Sequence, residues 1–314
     1  MAEKIATRDA YAAALVELGT KYNFVVLDAD LAAATKTGVF KKEFPNRHFN
    51  CGIAEGNMMS VAAGLAAAGQ LPFASTFAMF ATGRAFEQIR NSIGYPELNV
   101  KIAATHAGVT VGEDGATHQC NEDIALMRTI PGMTVINPAD AVETRAVIET
   151  AIKTKGPMYI RLGRPAVPVI FDKETYKFEL GKGMVLREGK DVTLIATGIM
   201  VSMALTAADI LAEEGISARV INIHTIKPLD KDLIVTAARE TGAIVTAEEH
   251  SIIGGLGSAV AEAVAEASPV PVLRVGVEDK FGRSGSVAEL LELFGLTPEN
   301  LVAKAKLALE MKKQ

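Results

Sequence analysis

At 314 residues, 49% of them apolar and 22% charged, the chain has enough apolar content for about two buried cores. Its formal charge of −5, with no basic stripe or charge block, argues against nucleic acid as a partner. Two cysteines, Cys51 and Cys120, make no disulfide framework, and the first ten residues carry no apolar signal core, so a cytoplasmic setting is expected.

In chain order, short β-branched runs alternate with helical patterns. Residues 4–21 predict a helix with Gly19 near its end, and 23–30 a buried strand. Then come helix 55–68, strand 73–77 and helix 81–92. The longest apolar run, 58–74, is broken by Gln70 and Pro72, and reads as a buried helix and strand rather than a membrane span. Residues 99–108 predict a strand with polar groups just past its carboxyl end. A short helix 122–128, strand 133–138, helix 139–153 and strand 157–162 follow. Residues 165–191, with prolines, mixed charge and no helical period, read as a linker or a short hairpin. The alternation restarts with strand 191–197, helix 200–215, strand 217–223, helix 231–242 and strand 243–250. Helix 258–267, strand 271–277 and helix 301–312 complete the chain. Strands separated by helices imply parallel sheets covered on both faces. The expected fold is α/β, two three-layer α/β domains with mainly parallel sheets. The first domain is expected at 1–168, a linker at 169–190 and the second domain at 191–314.

The densest polar cluster is 106-HAGVTVGEDGATHQ-119, preceded by Glu55 in 50-NCGIAEGNMMS-60. In open α/β sheets ligands sit beyond the carboxyl ends of the strands, where Asp28, Asp30, His106 and the loop to His118 fall. Glu55 opens an apolar helix, so it either complements the helix dipole or is a buried acid–base residue. His106 and His118 flank a glycine-containing loop, which fits a surface loop with incidental histidines, a site for substrate hydroxyls, or, with Asp114, a metal site. The GEDG run at 112–115 follows no strand and opens no helix, so it is no phosphate cradle. The GGLGS run at 254–258 lacks the dinucleotide fingerprint and reads as a tight turn between strand and helix. Phe77, Met79 and Phe80 read as core, and His224 and His250 as structural or domain-interface residues.

The run 104-ATHAGVTVGEDGATHQ-119 resembles the transketolase signature. Supporting matches are 6-ATRDA-10, 28-DADL-31, 52-GIAEGNM-58, 75-STFAMF-80, 156-GPMYIRLGR-164 and 246-TAEEHSIIGGLGS-258. The resemblance spans essentially the whole chain and covers the pyrimidine-binding and C-terminal domains of that family. The family's amino-terminal domain, whose Gly-Asp-Gly motif and downstream Asn hold Mg2+ and diphosphate, has no counterpart here. The resemblance therefore implies the small subunit of a split transketolase. Thiamine diphosphate would be the cofactor, and Mg2+ would be held by a partner N-terminal subunit, in an α2β2 heterotetramer acting on sugar phosphates.

It also implies residue roles. Glu55 would hydrogen-bond N1′ of the cofactor's aminopyrimidine. Phe80 would stack on that ring, with Phe77 lining the same pocket. Leu31 would support the bent cofactor, and Asp30 would lie near the thiazolium. His106 and His118 would act in catalysis by binding sugar hydroxyl or carbonyl oxygens, and Asp114 would contact the adjacent hydroxyl. Arg8 and Arg164 would grip the phosphate, for which a guanidinium is suited. The chain departs from the family at Ala34, where a serine is common, and at Gly83, where an aromatic is common. Thr35 or a partner residue is expected to replace that serine. Alternative relationships are the beta subunit of a 2-oxoacid dehydrogenase, a deoxyxylulose-phosphate synthase half, and a non-catalytic scaffold of the same fold. The two histidines favour a sugar substrate over the first, and the start of the chain at the pyrimidine domain sets it apart from the second.

Overall fold

The computed structural model describes residues 3–313. The expected domain ends at Met1 and Gln314 lie outside the described residues. The first unit is a seven-stranded sheet. Its strands in chain order are β2 (Val25–Asp28), β3 (His48–Asn50), β4 (Pro72–Phe77), β5 (Lys101–Thr105), β6 (Thr134–Ile136), β7 (Met158–Arg161) and β12 (Thr225–Lys227). Their spatial order is β12-β6-β7-β5-β4-β2-β3, parallel except for β12. β2, β4, β5 and β7 are buried along their whole length, as apolar runs covered on both faces must be. Pro72 is tolerated because it opens its strand.

Helices α1 (Thr7–Gly19), α2 (Gly38–Glu43), α3 (Glu55–Ala67), α4 (Phe86–Gln88), α5 (Asp123–Arg128) and α6 (Ala141–Lys153) cover this sheet. Tyr11, Leu15 and Leu18 of α1 pack with Val147 and Ile148 of α6 and with Phe24, Phe40 and Phe73. On the other face Met58 and Met59 of α3 pack with Ile89, Ile93, Ile124 and Met127.

The second unit has strands β9 (Met184–Arg187), β10 (Val192–Ala196), β11 (Ala218–Asn222), β13 (Ile244–Ser251) and β14 (Val272–Val277), in the order β14-β13-β10-β11-β9. Only β9 runs antiparallel. Helices α7 (Met200–Glu213), α8 (Lys231–Thr241), α9 (Leu256–Ala267), α10 (Val287–Leu293) and α11 (Pro298–Lys312) flank it. The expected α/β architecture, two α/β units with mainly parallel sheets, holds.

Several elements differ from the sequence-based expectation. Residues 4–6 form a strand, β1 (Lys4–Ala6), rather than the first turn of a helix, because they pair antiparallel with β8 (Ala166–Pro168). The expected helix 81–92 is a chain of widened turns at Met79–Arg84 and Ile89–Gly94 around the short α4. The stretch 165–191 carries β8 and β9, so it contributes to two sheets. The short β3, α2 and α10 lack a long hydrophobic period and were not anticipated. α9 and α11 start earlier than expected, at Leu256 and at Pro298, a residue suited to the first helical turn.

The two units share one core. Ile195, Ile221, Ile234, Leu256 and Val260 of the second unit join the cluster that holds Met58 and Ile124. Polar anchors reinforce the junction. Asp140 caps α6 through the Glu143 amide at 2.9 Å and accepts from the amides of Ile170 and Phe171 at 2.8 and 2.9 Å. Glu143 accepts from the Ala139 amide at 2.6 Å, from Asn222 at 2.8 Å and from the Tyr176 hydroxyl. Burial pushes the Glu143 carboxyl up to about 7, against those hydrogen bonds. Cys51 and Cys120 are both free.

Candidate active site

The register of the first sheet creates the site. Asp28 lies opposite both Asn50 and Ser75, and Phe77 lies opposite Thr105. The segments leaving β2, β3, β4, β5 and β7 therefore emerge along one carboxyl edge, and they carry Asp30 and Leu31, Glu55, Phe80, His106 and Arg164.

Each segment is locally braced. The buried Asp28 carboxylate accepts from the Leu31 amide at 2.5 Å and from the hydroxyls of Thr35 and Thr37 at 2.8 and 2.7 Å, closing the loop after β2. Asp30 adopts φ 62, a conformation that acidic and amide residues tolerate, and exchanges hydrogen bonds with Asn50. Thr35 is buried and committed to Asp28, so it does not replace the serine absent at position 34. The Ala34 carbonyl instead accepts from Arg8 at 3.2 Å.

After β4 the chain makes a turn with an i→i+5 bond, the Ala85 amide to the Phe80 carbonyl at 3.2 Å. A Cβ at Gly83 would lie 2.0 Å from the Met79 methyl, so Met79 fills the space that a larger residue would need. The turn brings Arg84 back over Phe80, with the guanidinium carbon 4.6 Å from the ring centroid. Arg84 Nη1 donates to both oxygens of Glu55, at 3.0 and 2.9 Å. Glu55 is 2% exposed at the start of α3, where the helix dipole favours its negative charge.

Phe77 stacks on His106 with centroids 3.8 Å apart and runs nearly parallel to Phe80 at 5.6 Å. His118 meets Phe80 edge-on at 5.4 Å. Phe77 and Phe80 thus form a wall facing the site rather than interior packing alone.

His106 has φ 58, an uncommon conformation that histidine adopts more readily than most side chains, and its ring is held at both nitrogens. Arg8 Nη1 lies 3.0 Å from Nε2, and the Thr105 hydroxyl lies 2.8 Å from Nδ1. Arg8 can only donate, so Nε2 accepts and Nδ1 carries the hydrogen. Burial, followed by the charges of Arg8 and Arg164, pushes the ring's pKa down to about 3. His106 is therefore a neutral hydrogen-bonding group at ordinary pH. Arg164 donates to the Val111 carbonyl at 2.7 Å and to Glu113 at 3.2 Å, so GEDG is engaged with an arginine.

The loop between the histidines is braced from the second domain. The Glu249 carboxylate accepts from the Thr110 amide at 2.7 Å. Gln119 donates to the carbonyls of Val109 and Arg283, both at 2.8 Å. Gly108 has φ +78, and a Cβ there would lie 2.2 Å from Glu249, so both the conformation and the close approach call for glycine. A cleft of 570 Å³ lined by Phe80, Arg84, Thr117, Gln119, Asp279 and Phe281 opens between this loop and the second domain.

The structure thus brings together Arg8, Glu55, Phe77, Phe80, His106 and His118, and sets Arg164 close enough to act on His106. Asp30 and Asp114 are exposed and Leu31 half-buried on loops along the same edge. Among the described residues, no group of three or more His, Cys, Asp or Glu side chains is placed to hold a metal ion. In the GGLG turn the amides of Leu256 and Gly257 donate to the buried Glu248 carboxylate at 2.6 and 2.7 Å, and that of Gly254 to the Ser258 hydroxyl at 2.8 Å. His250 bridges the domains by accepting from the Ala125 amide at 3.3 Å. Sequence reasoning missed Arg84, Glu249 and the bracing role of Gln119. The cue for Arg84 was its spacing of four from Phe80, and Glu249 had none, being 139 residues from Thr110.

Fold and site define an α/β protein with a buried carboxylate beside an aromatic wall, a cradle suited to a planar, hydrogen-bonding heterocycle. The transketolase pyrimidine-binding domain family matches residues 3–169, and the transketolase C-terminal domain family residues 181–301. A protein of Methanocaldococcus jannaschii, provisionally named transketolase C-terminal section, is 52% identical over 310 residues, covering 98% of this chain and 96% of that protein. A 6-deoxy-6-sulfo-D-fructose transketolase subunit of Clostridium sp. is 48% identical over 307 residues, covering 97% of this chain and 95% of that one. A solved split-gene transketolase, described as an inactive beta4 tetramer, has a TM-score of 0.91 at 57% identity and covers 99% of this chain and 100% of its own. The chain belongs to the transketolase family. No helix among the described residues is long and apolar enough to cross a membrane.

Proposed function

We propose that this chain is the C-terminal subunit of a two-chain, thiamine diphosphate-dependent transketolase that moves a two-carbon ketol unit from a ketose phosphate to an aldose phosphate. One observation carries the reading: the buried Glu55 and the ring of Phe80 together hold a planar cationic group, the Arg84 guanidinium, through carboxylate hydrogen bonds and ring contact. An aminopyrimidine is likewise planar and, with a proton at N1′, presents a donor to Glu55, so the residues present fit that part of the cofactor. The bound cofactor would supply the thiazolium carbon that attacks the ketose and carries the transferred unit.

Glu55 would hold the proton at N1′ of the pyrimidine, and its burial strengthens that hydrogen bond. Phe80, backed by Phe77, would fix the ring plane, and Leu31 and Asp30 would border the thiazolium side. Arg8 and Arg164 would bind the phosphate. As Arg8 turns to the phosphate, the neutral His106 ring is freed to accept from a sugar hydroxyl. His118 and Asp114 would hold further hydroxyls, and Gln119 and Glu249 keep their loop in place.

The diphosphate and Mg2+ would be held by a partner N-terminal subunit in an α2β2 heterotetramer, in the cytoplasm. Two observations support this. In the glycine-rich turn 254–257 the amides of Leu256 and Gly257 are occupied by Glu248. A close structural neighbour is a split-gene transketolase, described as an inactive beta4 tetramer.

The test is reconstitution. This chain alone should transfer no ketol units, while the mixture with its partner should convert xylulose 5-phosphate and ribose 5-phosphate. Activity of the chain by itself would sink the two-chain reading, and decarboxylation of pyruvate by the mixture would favour a 2-oxoacid dehydrogenase. In the active mixture Glu55→Gln should lower kcat by roughly 10²-fold or more.

A further inference from the structure

We infer that Arg84 is a placeholder for the cofactor's aminopyrimidine: in the free subunit it occupies the ring position over Phe80 and satisfies Glu55, and cofactor binding displaces it. The inference rests on the reading of Glu55 and Phe80 as the pyrimidine site, and it adds a residue to which that reading gave no role.

The geometry supports it from three sides. First, the guanidinium lies over Phe80 at 4.6 Å and bonds both Glu55 oxygens, so a ring stacked there and bonded to Glu55 would need the same space. A guanidinium suits the task because it is planar, permanently charged and stacks on aromatic faces. Second, the two ends of the pair differ in burial. The Glu55 side chain is 2% exposed and that of Arg84 is 54% exposed. Glu55 cannot leave, whereas Arg84 can swing into the solvent-open cleft that it lines. Third, a buried carboxylate without a donor is costly, so the free subunit needs a cation at this point. A cofactor ring whose N1′ shares a proton with Glu55 neutralises the carboxylate and removes that need. Arg84 would thus preserve the pocket in an unassembled subunit while lowering its affinity for cofactor.

The test uses the full chain titrated with thiamine diphosphate and Mg2+ by calorimetry, comparing wild type, Arg84→Met, Glu55→Gln and the double variant. Arg84→Met keeps an apolar stem over Phe80 and removes the competing cation. It should bind about three- to tenfold more tightly, the range expected for losing one half-exposed ion pair and its cation–π contact. Binding by Arg84→Met that is no tighter than wild type, or absent from both, overturns the inference. A second readout is the nitrogen-15 resonance of the Arg84 side chain. It should be displaced in the free wild type, return toward that of a solvated arginine as thiamine diphosphate binds, and already be there in Glu55→Gln. An Arg84 resonance unchanged by bound cofactor also overturns the inference. The two readings separate cleanly. If adding Glu55→Gln to Arg84→Met leaves cofactor binding unchanged, the pyrimidine site itself is misassigned. If that addition weakens binding while Arg84→Met alone does not strengthen it, only the placeholder fails.

Discussion

The strongest test of the scaffold beneath the site is Asp123→Ala. Asp123 is fully buried at the start of α5, and its carboxylate accepts from the Tyr159 hydroxyl at 2.6 Å and from Arg161 Nε and Nη2 at 2.7 and 3.2 Å. Arg161 is itself buried and also donates to the Glu249 carbonyl at 2.8 Å, so this ion pair ties β7 to β13 of the second unit. Removing the carboxylate strands a buried guanidinium on carbonyl partners and orphans a buried phenol. Loss of one partner of a buried ion pair costs about 3–5 kcal/mol. The orphaned hydroxyl adds about 1–3 kcal/mol, part of which overlaps with the first term. An overall loss of about 4–6 kcal/mol is a large share of the stability of an ordinary domain. Urea denaturation of the isolated chain should show a lower midpoint with little change in slope. The double variant Asp123→Leu with Arg161→Met should recover part of the loss, because the stranded guanidinium is removed while the Tyr159 hydroxyl stays orphaned. A single variant within about 1 kcal/mol of wild type would show that the pair contributes little and that the reasoning from burial is wrong.

The other predictions concern pH and the substrate loop. Glu143 has its folded pKa raised to about 7 by burial. The stability it contributes is therefore present below its unfolded pKa and is lost as pH rises through about 7. Glu143→Gln should flatten the fall in denaturation midpoint between pH 5 and 7, and an unchanged slope would exclude Glu143 as its source. Asp123 behaves in the opposite sense. Burial pushes it up, but Arg161, His250 and the hydrogen bonds together hold it below the usual carboxylate value. Its contribution is present above the unfolded pKa and is lost as pH falls through the folded one, so acid should destabilise wild type more steeply than the Asp123→Leu, Arg161→Met variant. The His106 ring, held neutral by burial and then by Arg8, should show no titration of its Cε1 proton shift between pH 5 and 8. Gly108→Ala would force a strained φ and push a methyl into Glu249. In the reconstituted enzyme it should raise KM for sugar phosphates several-fold while cofactor affinity holds, and unchanged sugar kinetics would dissociate the Glu249 brace from substrate binding.

Legibility in the sequence followed the range of the interactions. The parallel strands were readable because burial on both faces demands uninterrupted apolar runs such as Val25–Asp28 and Met158–Arg161. Helices α6 and α8 were readable from their periodicity, and their capping residues Asp140 and Asp230 agree with it. The first three residues of the expected 4–21 helix were misread because only their partner, 160 residues away, makes them a strand. The turns around Phe80 looked like ordinary helix, since the composition of a widened turn hardly differs from that of an α-turn.

The candidate site divides in the same way. Glu55, His106 and His118 were visible because polar residues in an apolar chain, placed past strand ends, need a reason to be there. What those residues touch was not visible. The pairing of Glu55 with Arg84, the stacking of Phe77 on His106 and the grip of Glu249 on Thr110 join segments separated by 29 to 139 residues. By itself the sequence determined the α/β alternation and which polar residues are candidates for chemistry, because local periodicity and the desolvation cost of polar groups act along the chain. Only the tertiary structure decided that His106 is neutral, that Thr35 is committed to Asp28 and that Arg84 lies over Phe80 and bonds Glu55. Those properties depend on which distant groups share a buried space.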